Sequence, residues 1–141
     1  MTVNLIALVG PHGEIGHSDG SRPEFQGVRE SMDWFLSTVG SGVVVCGRKT
    51  VDQMVRDGVD LGHIPYNLAV FTRQNGPPTA MDYLRMLSGA FPGQDIFIAG
   101  GLQTYEAFLP FCQNFFIRKA DIRGRPDLFL PQMFTPKGTI H

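Results

Sequence analysis

Apolar runs that alternate with helix-patterned segments predict a single α/β domain, with a mostly parallel sheet covered by helices on both faces. Three observations carry that prediction. Short, nearly all-apolar runs recur: VNLIALV at Val3–Val9, VVVC at 43–46, NLAVF at Asn67–Phe71 and IFIA at 96–99. Such runs suit strands buried on both faces. Segments of helical period lie between them. The 141 residues are 43% hydrophobic and 18% charged, which suits one domain able to bury a core. Strands alternating with helices imply parallel pairing through right-handed crossovers.

Each element has its own reason. Val3–Val9 is the first buried strand. GPHGEIGHSDGSRPEF follows and reads as a long irregular loop, dense in glycine and proline. Val28–Val39 reads as a helix because Val28, Met32, Phe35 and Val39 form one apolar stripe, and Gly40-Ser41-Gly42 ends it. The β-branched run at 43–46 is a strand. GRKTVDQMV then reads as a short helix, with Thr50 placed to cap it. Asn67–Phe71 is a strand ending in Thr72-Arg73, and residues 79–87 form a helix with Met81, Leu84 and Leu87 on one side. The run at 96–99 is a strand, 104–111 a helix and 115–122 a last strand. The sequence after Pro126 is weakly patterned.

Charge and composition exclude several classes. The net charge is −1 and no basic stripe is present, so nucleic acid is not an expected partner. No run approaches the ~20 apolar residues of a membrane span. The opening MTVNLIALVGPHG lacks a basic n-region and a cleavage pattern, so a cytoplasmic protein is expected. Cys46 and Cys112 sit in apolar runs and read as small buried hydrophobes. His12, His17, His63 and His141 lack ligand spacing, so no metal site is expected.

Two strand-to-helix corners, VVVCGRKT and IFIAGGLQTY, place glycine directly after a strand. In parallel sheets ligands bind beyond the carboxyl ends of strands. A helix N-terminus offers unpaired N–H groups and partial positive charge, and glycine lets phosphate oxygens approach. Arg48 and Lys49 add mobile charge at the first corner, and Thr72-Arg73 adds a hydroxyl and a guanidinium at a third strand end. Neither corner matches the P-loop or the GxGxxG fingerprint. Each alone could be a simple turn. Together they suit an extended diphosphate.

In order, these pieces resemble the dihydrofolate reductase family over roughly residues 3–131. VNLIALVGPHGEIG resembles its first strand and mobile loop, VVVCGRKT its MGRKT segment, and NLAVFTRQ its NIVLTR segment. IFIAGGLQTYEAFLP resembles its IGGxxxYxxFLP segment, the most specific match, and PDLFLP its DTxFP. The reductase domain of riboflavin biosynthesis shares the fold and several of these landmarks. The resemblance implies a three-layer fold of that type, NADPH as hydride donor and reduction of a C=N bond, with 7,8-dihydrofolate first. A reductase of a phosphorylated ribosylaminopyrimidine is the alternative, and a nucleotide-binding homologue without catalysis is the third possibility.

By matching positions, Gly47, Arg48, Lys49 and Thr50 would meet the cofactor phosphates. Thr72 and Arg73 would flank the adenine ribose. Gly100 and Gly101 would let the cofactor lie on backbone, with Leu102, Gln103 and Thr104 offering N–H groups. Ala7, Leu8 and Ile15 would line the nicotinamide and substrate region, with Tyr105 near the nicotinamide. The family's proton-relay carboxylate lies four residues before a phenylalanine. Aligned on Phe35, that position is Ser31; aligned on Trp34, it is Glu30; Asp33 is a third candidate. Trp34 and Phe35 would then flank the substrate. The family's threonine maps to Arg118, which would pair with a carboxylate, bind a substrate phosphate or face water. The family's closing β-hairpin is expected to be missing. That would leave the strand at 115–122 as an exposed edge, and a homodimer through it or through Phe111, Phe115 and Phe116 is expected.

Overall fold

The structure, a computed structural model, describes residues 1–72 and 79–131 together with the backbone of residues 139–140. Its elements are β1 (Val3–Val9), β2 (Glu14–Gly16), β3 (Glu24–Phe25), α1 (Val28–Val39), β4 (Val43–Gly47), α2 (Arg48–Arg56) and β5 (Asn67–Phe71). After these come α3 (Ala80–Ala90), β6 (Ile96–Ile98), α4 (Leu102–Phe108), β7 (Asn114–Lys119), β8 (Ile122–Arg123), β9 (Leu128–Phe129) and β10 (Thr139–Ile140). Among the described residues the main sheet has the order β10-β7-β1-β6-β4-β5, and every pairing in it is parallel.

Alternation along the strands builds two cores. Phe115, Leu5, Ile98, Val45 and Ala69 align in register across five strands and all face one side. There they pack with Tyr83, Leu84 and Leu87 of α3 and Tyr105 and Phe108 of α4. One residue further on, Ile6 and Cys46 face the other side, with Val44 and Phe97, against α1 and α2. Trp34, Phe35, Leu36, Val39, Val51 and Met54 supply that packing. Helices thus cover both faces, because strands apolar at every position need partners on both sides. Leu5, Val45, Ile98 and Phe108 are fully enclosed.

Several elements differ from the sequence expectation. Thr50 does not cap α2: the helix starts directly at the strand end, with Gly47 as its cap residue and Thr50 in its first turn. Thr79 caps α3 instead, its Oγ1 accepting the Asp82 N–H at 3.1 Å. Helix α4 begins two residues earlier than expected, and residues Leu109–Phe111 form a separate 3-10 turn at Pro110. The expected stripe on α1 is split. Val39 is buried, but Val28 and Met32 are about half exposed, at 50% and 48%.

The expected irregular loop after β1 carries two short strands. β2 pairs antiparallel with β9, and β3 with β8. Ser18 also binds Asp127 with both its N–H and its hydroxyl, and the Gln26 N–H donates to the Asp121 carbonyl at 2.8 Å. Residues 121–129, on both sides of Pro126, are therefore what hold this loop. The last expected strand ends earlier, at Lys119. Its outer side is not bare at the start, because Thr139 and Ile140 run parallel beside Asn114 and Phe115. Phe115 itself is buried, so it does not offer an outward dimer surface.

Candidate functional site

The carboxyl ends of β1, β4, β5 and β6 share one end of the sheet because all four strands run parallel. β6 lies between β1 and β4, which brings the two glycine corners together. The Gly47 N–H donates to the Gly100 carbonyl at 2.8 Å. A Cβ on Gly47 would sit 2.8 Å from Thr104 Oγ1, and one on Gly101 would sit 3.7 Å from Thr50 Oγ1. The first is closer than real Cβ atoms approach a neighbour, so Gly47 is required by the packing of β4 against α4. Gly100 has φ +119, a conformation that side-chain-bearing residues rarely adopt. The Gly100–Gly101 peptide is cis.

Neither α2 nor α4 has a side chain capping its first turn. Arg48 and Lys49 are exposed at the start of α2, and Thr50 is half-buried between the corners. In α4, Leu102 is half-buried, Gln103 is exposed and Thr104 is buried. Thr72 follows the end of β5 and is half-buried; Arg73 lies outside the described residues.

Beside this corner a cleft of about 210 Å³ opens between the end of β1 and helix α1. Ala7 and Leu8 form its floor, with Ser31, Trp34 and Phe35 on the α1 wall and Tyr105 and Ala99 on the corner side. Tyr105 is fixed by its hydroxyl, which donates to the Ile6 carbonyl at 2.8 Å. Its burial raises the phenol pKa far above the ordinary value, so the group stays neutral. Val28 and Met32 line the cleft as well, which explains their exposure. Ile15 is half-buried against the α3/α4 core and does not line the cleft.

Helix phase decides the polar group in this cleft. Of the three α1 candidates, Ser31 is buried and lines it, while Glu30 and Asp33 are exposed and do not. Arg118 of β7 stands in register with Leu8 of β1 and donates from Nε to Ser31 Oγ at 3.1 Å. The site thus unites Gly47, Gly100, Gly101, Thr50 and Thr104 at the corner, and Ala7, Leu8, Ser31, Trp34, Phe35 and Tyr105 in the cleft. Val28, Met32, Ala99 and Ile6 were missed as site residues. The first two have the spacing of an ordinary core stripe, and nothing local separates a cleft wall from a core contact.

The cysteines take no part in this site's acid–base chemistry. Burial pushes both thiols up to about 12, so they remain protonated and unreactive. No group of three or more metal-ligating side chains occurs among the described residues. No helix among them is long and apolar enough to cross a membrane. No protein-family model matches this chain, and no curated protein matches it either.

Proposed function

We propose that this chain binds NADPH across the β4/β6 corner and reduces a C=N bond in a ring held in the adjoining cleft. The observation that carries the reading is the contact of the two glycine corners, Gly47 to Gly100, immediately beside an apolar cleft walled by Tyr105. A dinucleotide needs bare backbone for its phosphates and an apolar slot for its ring. The corner meets the first need with three glycines and the exposed Arg48 and Lys49. The cleft meets the second on its Ala7 and Tyr105 side and leaves its α1 side for the substrate ring.

When bound, the cofactor supplies a hydride. The chain's own residues do the rest. Arg48 and Lys49 attract phosphate, including the 2′-phosphate that separates NADPH from NADH. Gly47, Gly100 and Gly101 leave room for its oxygens, and the hydroxyl of Thr50 offers a donor between them. Ala7, Leu8 and Tyr105 shape the slot and exclude water from the reacting face. With no carboxylate among the described residues that line the cleft, the proton that completes C=N reduction comes from solvent, or through water from Glu30 or Asp33.

Dihydrofolate is the first substrate to assay. A second reading, reduction of a phosphorylated ribosylaminopyrimidine, is favoured by one observation: the polar α1 side chain lining the cleft is Ser31, which accepts from Arg118, and not a carboxylate. Calorimetry with NADPH and NADH, followed by NADPH oxidation with each substrate, tests the reading. Micromolar NADPH binding, weaker NADH binding and turnover of one imine are expected. Binding without turnover of either substrate would instead support a non-catalytic nucleotide-binding protein. No binding by folded protein would remove the reading altogether.

A further inference from the structure

We infer that Arg118 gives the cleft a charge preference: it takes a ring by an anionic or oxo oxygen and rejects a ring that presents an amidinium. The inference rests on the cleft being the substrate site and specifies the class of group that site accepts. The cleft walls are otherwise almost wholly apolar, so one polar contact governs how a ring enters. That contact is Ser31, enclosed to 6% exposure, whose Oγ accepts the Arg118 Nε–H at 3.1 Å.

A guanidinium carries five N–H donors and accepts nothing. Arg118 spends one on Ser31. The two ion pairs among the described residues are Arg22–Asp57 and His63–Asp60, and neither involves it. Glu30 and Asp33, the nearest acids along α1, face solvent. Arg118 is not itself part of the cleft wall: it is half-buried and reaches the cleft through Ser31, on the same sheet face as Leu8 of the cleft floor. A half-buried guanidinium whose other donors have no partner among the described residues favours an oxygen, above all a planar anionic pair that matches its fork. An amidinium there would place like charges together and leave both sets of donors unmatched. For a ring carrying both an oxo group and an amidine, as pterin does, the oxo edge turns towards Arg118.

Trp34 is the chain's only tryptophan and lines the cleft, so its fluorescence reports entry. Benzoate, benzamide and benzamidine present one ring with negative, neutral and positive groups. Titrated without cofactor, benzoate is expected to quench Trp34 at a concentration at least about tenfold lower than benzamidine, with benzamide between. Arg118→Met, whose unbranched apolar stem keeps the packing, is expected to abolish the order, and Arg118→Lys to keep part of it. Circular dichroism of each variant checks the fold. Benzamidine binding as tightly as benzoate would overturn the inference. So would a benzoate preference that survives in folded Arg118→Met, or the absence of quenching by all three probes. NADPH calorimetry on the same proteins separates this result from the reductase reading. A charge preference without NADPH uptake would retain the cleft's selectivity and remove the cofactor, whereas unchanged NADPH uptake with no charge preference would do the reverse.

Discussion

The glycine corner and the α1 cleft lie side by side, yet they are made of different material. The corner is built from backbone: Gly47, Gly100 and Gly101 matter for what they lack, and the strands fix their positions. The cleft is built from side chains, and its character turns on the rotation of one helix. Moving one residue along α1 rotates the side chain by about 100°, from the exposed Glu30 to the enclosed Ser31. A backbone site is therefore robust to change on its flanks. A side-chain site can invert its charge preference with a single step of phase.

The largest expected effect strikes both regions together. Phe108 is fully enclosed and stacks edge-on against Phe71, with ring centroids 4.8 Å apart. It anchors α4, which carries Thr104 of the corner and Tyr105 of the cleft. Phe108→Ala should cost about 3–5 kcal/mol of stability in a denaturant titration, and both nucleotide and ring binding should fail at once. If only one failed, the two regions would not share a base.

A smaller and more selective effect is expected at Gly100. An added Cβ would sit 3.4 Å from the Tyr105 hydroxyl in a backbone conformation that disfavours it. Gly100→Ala should cost about 1–3 kcal/mol and weaken NADPH binding in calorimetry, while benzoate entry next to Trp34 persists. Equal loss of both would make corner and cleft one unit.

Exposed acids should matter least to stability. Glu30→Gln and Asp33→Asn are each expected to stay within about 0.5 kcal/mol of the parent. Both should retain most of any turnover, because neither lines the cleft. A hundredfold loss of turnover in one of them, at unchanged KM, would assign it the proton relay.

The mildest effect lies at the loop that the C-terminal segment holds. The Ser18 hydroxyl and N–H hold the Asp127 carboxyl below its ordinary 3.8. A depressed acid contributes stability that is complete above its unfolded pKa and is lost as pH falls through the folded one. Hydrogen exchange at the Ser18 amide, taken relative to the intrinsic rate at each pH, should therefore quicken below about pH 4. Asp127→Asn should quicken it at neutral pH and flatten that dependence.

How much of this was legible follows the same division. β1, α1 and β5 have the bounds that apolar runs and helical period predict; in β1 tertiary burial follows the local pattern throughout, whereas on α1 the period marks the helix although Val28 and Met32 stay half exposed. The two corners were legible because glycine after an apolar run is a local signal. β2, β3, β8 and β9 were not. Each has two or three residues, too few to show a period, and their pairings join positions about a hundred residues apart. The polar group of the cleft was legible only as a choice among Glu30, Ser31 and Asp33. The docking of α1 on the sheet, through Trp34, Phe35 and Val39, made that choice.

Energy transfer from Trp34 to bound NADPH, compared between the parent and Gly47→Val, joins the two regions in one readout: Trp34 lines the cleft and Gly47 forms the corner. The account predicts that NADPH quenches Trp34, that reduced-nicotinamide emission rises in step, and that both changes vanish in folded Gly47→Val. Folded parent protein that shows neither change at saturating NADPH would contradict it, as would transfer that survives unchanged in Gly47→Val.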